Sequence, residues 1–145
     1  MSLRDKFKVD IAAATDGVWL DYVPNSDGTV PGFKVSRMAI QNKRYAECMK
    51  RAVAHFEGGA ANSAIENISP EEADKILFAV FIDSVVLDWR NFQPDDDGVS
   101  LPFSKEAAAQ LFGDPAWSDL YEDVKAKAQK AATFREKQRE AKAKN

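Results

Sequence analysis

One cysteine and one histidine are all that this 145-residue chain contains, and that scarcity excludes much chemistry. Cys48 alone can form neither an intramolecular disulfide nor an all-cysteine metal site, and it suits a reducing, cytoplasmic setting. His55 alone rules out multi-histidine metal centres and leaves one imidazole for acid–base work. Long hydrophobic runs are missing too. The longest, Ile76 to Leu87, is interrupted by Asp83 and Ser84, whereas a membrane-spanning helix needs roughly 20 mostly apolar residues. The amino-terminal MSLRDKFKVDIAAATDG has no apolar core of the kind a signal peptide carries. A basic surplus is also absent: the formal net charge of −3 weighs against a generic nucleic-acid binder.

What remains is ordinary soluble-protein composition, 45% hydrophobic and 30% charged, in a chain long enough to bury one real core. The charge is unevenly spread. Residues 125–145 hold eight Lys and Arg against two Glu, a surplus of +6, which leaves −9 for residues 1–124. The apolar residues cease after Phe134. Residues 1–134 therefore read as one globular domain, and 135–145 as a charged basic tail, either flexible or a helix end. That tail has three readings: a solvated end, a contact for a partner helix through its long aliphatic stems, or a phosphate contact. The last is disfavoured, because no aromatic follows Phe134 to stack bases.

Residues 17–23, GVWLDYV, alternate like a half-buried strand, with Val18, Leu20 and Tyr22 on one face. PNSDGTVPG is rich in turn formers, and FKVSRMAI, residues 33–40, resumes the alternation, so a β-hairpin is expected. Two strands are marginal alone and must pack on something else. Asn42 is placed to cap a helix from Lys43 to Phe56, with Tyr45, Met49, Ala52, Val53 and Phe56 as its buried stripe. Gly58-Gly59 is expected to stop it. Ser69-Pro70-Glu71-Glu72 is a helix start with a capping serine and proline at the first position. The helix it opens is expected to run to Trp89 as the central core element, its β-branched content notwithstanding. After a loop over 92–102, Ser104 caps KEAAAQLF, which Gly113-Asp114-Pro115 ends. A last helix from near Pro115 presents Trp117, Leu120, Tyr121, Val124 and Ala128 on one face. The expected fold is α+β and mostly α-helical: an N-terminal β-hairpin packed on a bundle of about four helices.

The chain's chemistry-bearing residues do not assemble into a recognisable catalytic or cofactor motif. Cys48 and His55 are two helical turns apart, roughly 10 Å along the axis, too far for a nucleophile and its base. Asp95-Asp96-Asp97-Gly98 resembles part of a calcium loop. With Gly98 at the sixth position, however, Gln93 and Ser104 fall where the leading aspartate and the bidentate glutamate belong. Gly58-Gly59 lacks the Lys-Ser or Lys-Thr of a phosphate loop. A non-enzymatic protein without cofactor or metal is the expectation. Trp19, Trp89 and Trp117 are either core anchors or, in one case, a partner anchor, since buried Trp carries much of the energy at interface centres. Trp89, Arg90 and Phe92, at the end of the apolar segment, are the leading partner-binding candidates, joined by Phe103, Trp117 and Tyr121.

Taken in order, these features resemble one family. An early hairpin, GVWLDYV and FKVSRMAI, ends in a helix start with Asn42 and Tyr45. A central apolar segment then runs to Leu87-Asp88-Trp89. Asp97-Gly98, Pro102-Phe103-Ser104, AAAQLF and a late Trp117 follow. The order is similar to that of the tail assembly chaperones of long-tailed bacteriophages. The resemblance implies a small, α-rich, non-enzymatic protein in the host cell cytoplasm. It implies binding to the tape measure protein, and in some systems to the tail tube protein, before the tail polymerises, with no nucleic acid or membrane partner; homo-oligomerisation stays open. The alternative from the structural class is a minor virion protein such as a tail completion or head–tail connector component. Such chaperones are often made in two lengths by ribosomal frameshifting. Ala143-Lys144-Asn145 can be encoded as GCA AAA AAC, which contains a slippery heptamer, so a longer product is expected; a gene without any slip site there would remove that expectation.

Overall fold

The computed structural model describes residues 2–56 and 69–135. Two short helices, α1 (Leu3–Phe7) and α2 (Ile11–Asp16), precede β1 (Val18–Asp21) and β2 (Gly32–Val35). Next come α3 (Lys43–Phe56), α4 (Pro70–Val80), one π-helical turn (Phe81–Val85), and β3 (Val86–Arg90). The chain closes with α5 (Lys105–Gly113), a 3₁₀ turn (Pro115–Trp117), α6 (Ser118–Gln129) and a second 3₁₀ turn (Ala131–Phe134). The fold is α+β and mostly helical, as the periodicity implies.

The caps behave as their side chains dictate. Ser69 Oγ accepts the Glu72 amide at 3.2 Å with Pro70 in the first turn of α4, and Ser104 Oγ accepts the Ala107 amide at 2.9 Å. Asn42 is buried: its Oδ1 accepts the Arg44 amide at 3.2 Å and its Nδ2 donates to the Arg37 carbonyl at 2.9 Å. One side chain thus opens α3 and holds the preceding turn.

The sheet departs from the expected hairpin. It has three antiparallel strands in the order β1-β2-β3, with Leu20 opposite Phe33 and Phe33 opposite Trp89. The second strand stops at Val35, and the helix expected to reach Trp89 stops at Val80. Three features convert its end into a strand. Ser84 Oγ donates back to the Val80 carbonyl at 3.0 Å, which competes with the helical ladder. Ser36 takes the next carbonyls, its hydroxyl donating to Ser84 at 2.7 Å and its amide to Val85 at 2.9 Å. The Lys105 ammonium then donates to the carbonyls of Ile82 at 2.8 Å, Asp83 at 3.2 Å and Val86 at 2.6 Å. Every helix leaves its last carbonyls without intrahelical partners, and here Ser36, the residue after β2, and Lys105 supply the donors. Val85 and Val86 favour the extended form for steric reasons, and the pairing resumes with a register shift between Lys34 and Val35.

Lys105 is consequently a fastener. Desolvation lowers its pKa, while Asp83 nearby favours the charge. Lys105→Met strands up to three carbonyls and is expected to cost about 1–3 kcal/mol. Urea denaturation measures this; an unchanged midpoint would show that water replaces the ammonium without loss.

The core is built around Phe33, whose ring lies 5.7–6.0 Å from those of Tyr22, Trp89, Phe92 and Phe112. Phe81 extends the cluster, edge-on to Phe112 at 5.2 Å and to Tyr121 at 4.9 Å. Val35, Val80, Val85, Val86, Val124, Ala128 and Phe134 complete it at essentially zero exposure. The expected stripes of α3 and α6 face this core; Phe56's side chain, Gly58-Gly59 and the basic tail from Glu136 lie outside the described residues.

Candidate functional site

An open cleft of about 580 Å³ lies among the described residues between α4 and α6, with the end of α5 also lining it. Leu77, Phe78, Phe112 and Tyr121 supply its apolar lining, and Asp74, Lys75, Glu122 and Lys125 its charged rim. The spacing explains the arrangement. Ile76 and Val80 point into the core, which leaves Leu77 and Phe78 on an adjoining helical face, half-covered. Phe78 packs edge-on to Tyr121 with centroids 5.6 Å apart, and Phe112 lies 6.2 Å from Tyr121.

Electrostatics at this floor are directional. Burial, assisted by the Glu122 and Asp74 carboxylates, pushes the Tyr121 phenol up to about 12. The phenol therefore stays a neutral donor, under a negative field from two rim acids. Lys125 reaches over the Tyr121 ring at 4.8 Å and pairs with Glu122 at 3.2 Å. An aromatic floor with acids and bases around its edge suits an amphipathic helix: an apolar side chain enters while flanking charges meet the rim.

A smaller recess of about 310 Å³ lies between α3 and the α4–π junction, lined by Cys48, Arg51, Ala52, His55, Ala79 and Asp83. It brings Cys48 and His55 to one hollow, but the thiol donates to Asp83 Oδ2 at 3.2 Å. Burial and that carboxylate raise the thiol's pKa, the reverse of what a nucleophilic cysteine requires.

The acidic loop is a staple. Asp96 accepts the Ser26 amide at 2.9 Å and also its hydroxyl, while Asp27 accepts the Thr29 amide at 2.9 Å and Gln93 Nε2 at 2.8 Å. No metal-binding group of three or more His, Cys, Asp or Glu occurs among the described residues. Both carboxyls are held below the ordinary aspartate value of 3.8, Asp27 by Thr29 and Gln93, Asp96 by Ser26. A depressed folded pKa gives stabilisation that is complete above the unfolded value and is lost as pH falls through the folded one. The Ser26 and Thr29 amide resonances are therefore expected to shift with midpoints below pH 3.8. A midpoint at or above that value would contradict the staple.

The sequence-derived partner candidates do not share one surface. Tyr121 lines the cleft. Trp89 and Phe92 are buried at 5% exposure each, and the Trp89 indole donates to the Leu101 carbonyl at 2.7 Å. Phe103 and Trp117 are half-buried, edge-on to Trp89 at 5.0 Å and to Phe92 at 5.5 Å. Arg90 is exposed on the outer face of the sheet, where it crosses side-chain-free Gly32 to reach Asp21 at 3.0 Å and stacks 4.2 Å over Trp19. The cleft residues missed by pattern reading are Leu77, Phe78 and Phe112. For Leu77 and Phe78 the signal was an α4 sequence more apolar than a single buried stripe needs.

Comparison with known families adds the decisive observation: the family described as YdaY prophage protein matches residues 40–145. The chain belongs to the YdaY prophage protein family. No curated protein and no solved structure matches it. Every cleft residue lies within the part matched by the YdaY family, from α4 through α6.

Proposed function

We propose that this YdaY-family protein is a non-enzymatic tail assembly chaperone, which binds helical segments of a tape measure protein, and in some systems the tail tube protein, before the tail polymerises in the host cytoplasm. Membership of a prophage family supports the setting, and the order of sequence features resembles that of tail chaperones. The observation that carries the reading is the cleft: an aromatic floor of Phe78, Phe112 and Tyr121 with a mixed-charge rim. A long helical client exposes repeated apolar stripes that would otherwise self-associate. Many copies, each covering one stretch weakly, keep it soluble and remain displaceable by tube subunits.

Affinity purification of the tagged protein from cells with the induced prophage, with mass spectrometry of its partners, tests this. A long helical partner recovered with it, and this protein's absence from finished particles, is the expected result. Stoichiometric presence in purified particles would instead identify a minor structural virion protein.

A further inference from the structure

Tyr121 brings to the cleft a polar group that the fold leaves unused. Its ring is fixed: the rings of Phe78, Phe81 and Phe112 lie 5.6, 4.9 and 6.2 Å from it, and the Lys125 ammonium lies 4.8 Å over it. Its hydroxyl is not. The Tyr22 hydroxyl donates to Asp123 at 2.7 Å, whereas nothing among the described residues hydrogen-bonds the hydroxyl of Tyr121. The charges that act on this phenol belong to two cleft residues, Glu122 beside it on α6 and Asp74 on α4. The phenol therefore lies at the cleft between the two helices, a protonated donor on a rigid ring.

A helix laid in the cleft covers that hydroxyl, and covering a polar group without giving it a partner costs affinity. The partner has to be an acceptor. Interior carbonyls of a helix already accept from amides four residues on, so the acceptor comes from a side chain. Lys and Arg have none to offer. A carboxylate would meet the field of Asp74 and Glu122 at the phenol, while Lys125 is engaged with Glu122 at 3.2 Å. The rim as a whole sets Asp74 and Glu122 against Lys75 and Lys125, so it favours neither a cationic nor an anionic client. Asn, Gln, Ser and Thr remain.

We infer that Tyr121 is the specificity-determining residue of the cleft, its hydroxyl donating to an Asn, Gln, Ser or Thr set within the apolar stripe of the client helix. This rests on the reading of the cleft as the client's docking site and names the chemistry that site selects. A purely apolar stripe leaves the phenol buried without a partner and is disfavoured by about 5–100-fold. The aromatic floor supplies affinity, and one donor supplies the choice between helices that share the same apolar periodicity.

Client recovery from lysate of cells with the induced prophage, measured by mass spectrometry as full-length bait is titrated, provides the test. Tyr121→Phe keeps the ring and deletes only the hydroxyl. It should raise the bait concentration for half-recovery by about 5–10-fold. The melting temperature should stay where it is, because in the free protein the hydroxyl has no partner to lose. Added salt should move the half-recovery point by less than about twofold, as a neutral acceptor requires. Phe78→Ala, run alongside, reports on the cleft itself. An unshifted Tyr121→Phe curve beside a lost Phe78→Ala one overturns the inference and leaves the cleft as the docking site. A steep salt dependence overturns it by making the acceptor charged, and a lowered Tyr121→Phe melting temperature by assigning the hydroxyl to the fold. Unchanged recovery with Phe78→Ala removes the reading of the cleft, and this inference with it.

Discussion

Phe33→Ala is expected to be the most damaging single substitution in the sheet, at about 3–5 kcal/mol. Phe33 is 1% exposed, and its ring meets Tyr22 just after β1, Trp89 on β3, Phe92 in the following loop, and Phe112 on α5. Removing it opens a cavity between layers that cannot collapse, because the sheet is held in register on both sides of β2. A loss of that size consumes a large part of the roughly 5–15 kcal/mol that holds a small domain together. Urea denaturation followed by tryptophan fluorescence measures it. A loss below about 1 kcal/mol would mean that the neighbouring rings repack into the space.

Phe78→Ala and Phe81→Ala should separate binding from stability. The two residues sit three apart near the end of α4, and both touch Tyr121. Phe81 is fully buried, so its truncation is expected to cost about 3–5 kcal/mol of stability. Phe78 forms part of the cleft floor and is half-covered. Its truncation should cost only about 1–2 kcal/mol of stability. The same change should remove client recovery, since central aromatic anchors contribute about 2 kcal/mol or more at an interface, roughly 30-fold in affinity. Thermal melts and co-purification on the same two variants give the comparison. A Phe78→Ala protein that is folded and retains its partner would place the client elsewhere.

The legible parts of the fold were those set by local chemistry. Ser69, Asn42 and Ser104 announced their helices because a capping oxygen needs only the amides two or three residues ahead. The α6 stripe through Val124 and Ala128 was visible for the same local reason. The end of α4 was not, because Val85-Val86-Leu87 prolongs an apolar run compatible with helix or strand. What decides between them comes from distant residues: Ser36 on the far side of β2, and Lys105 in the next helix. Trp89 and Phe92 were plausible anchors by type and position, yet β3 turns them inward onto Phe33. Phe78 was hidden in the opposite sense, as one apolar residue among many until packing left it half-buried, with no element covering that side of α4 among the described residues. The exposed Leu3, Phe7 and Ile11 of α1 and α2 were similarly unmarked: two helices of five and six residues give too little periodicity to read.

Photo-crosslinking from the cleft tests the central claim most directly. A photoreactive phenylalanine analogue at position 78, in the tagged protein expressed with the induced prophage, reports which chain lies against the aromatic floor. The account predicts crosslinks to a long helical phage protein, at peptides whose apolar residues recur every three or four positions. It also predicts that the same analogue at Val23, exposed and remote in sequence from the cleft, captures little. Equal capture from both positions, or a cleft that crosslinks to no phage protein while the client still co-purifies, would contradict it.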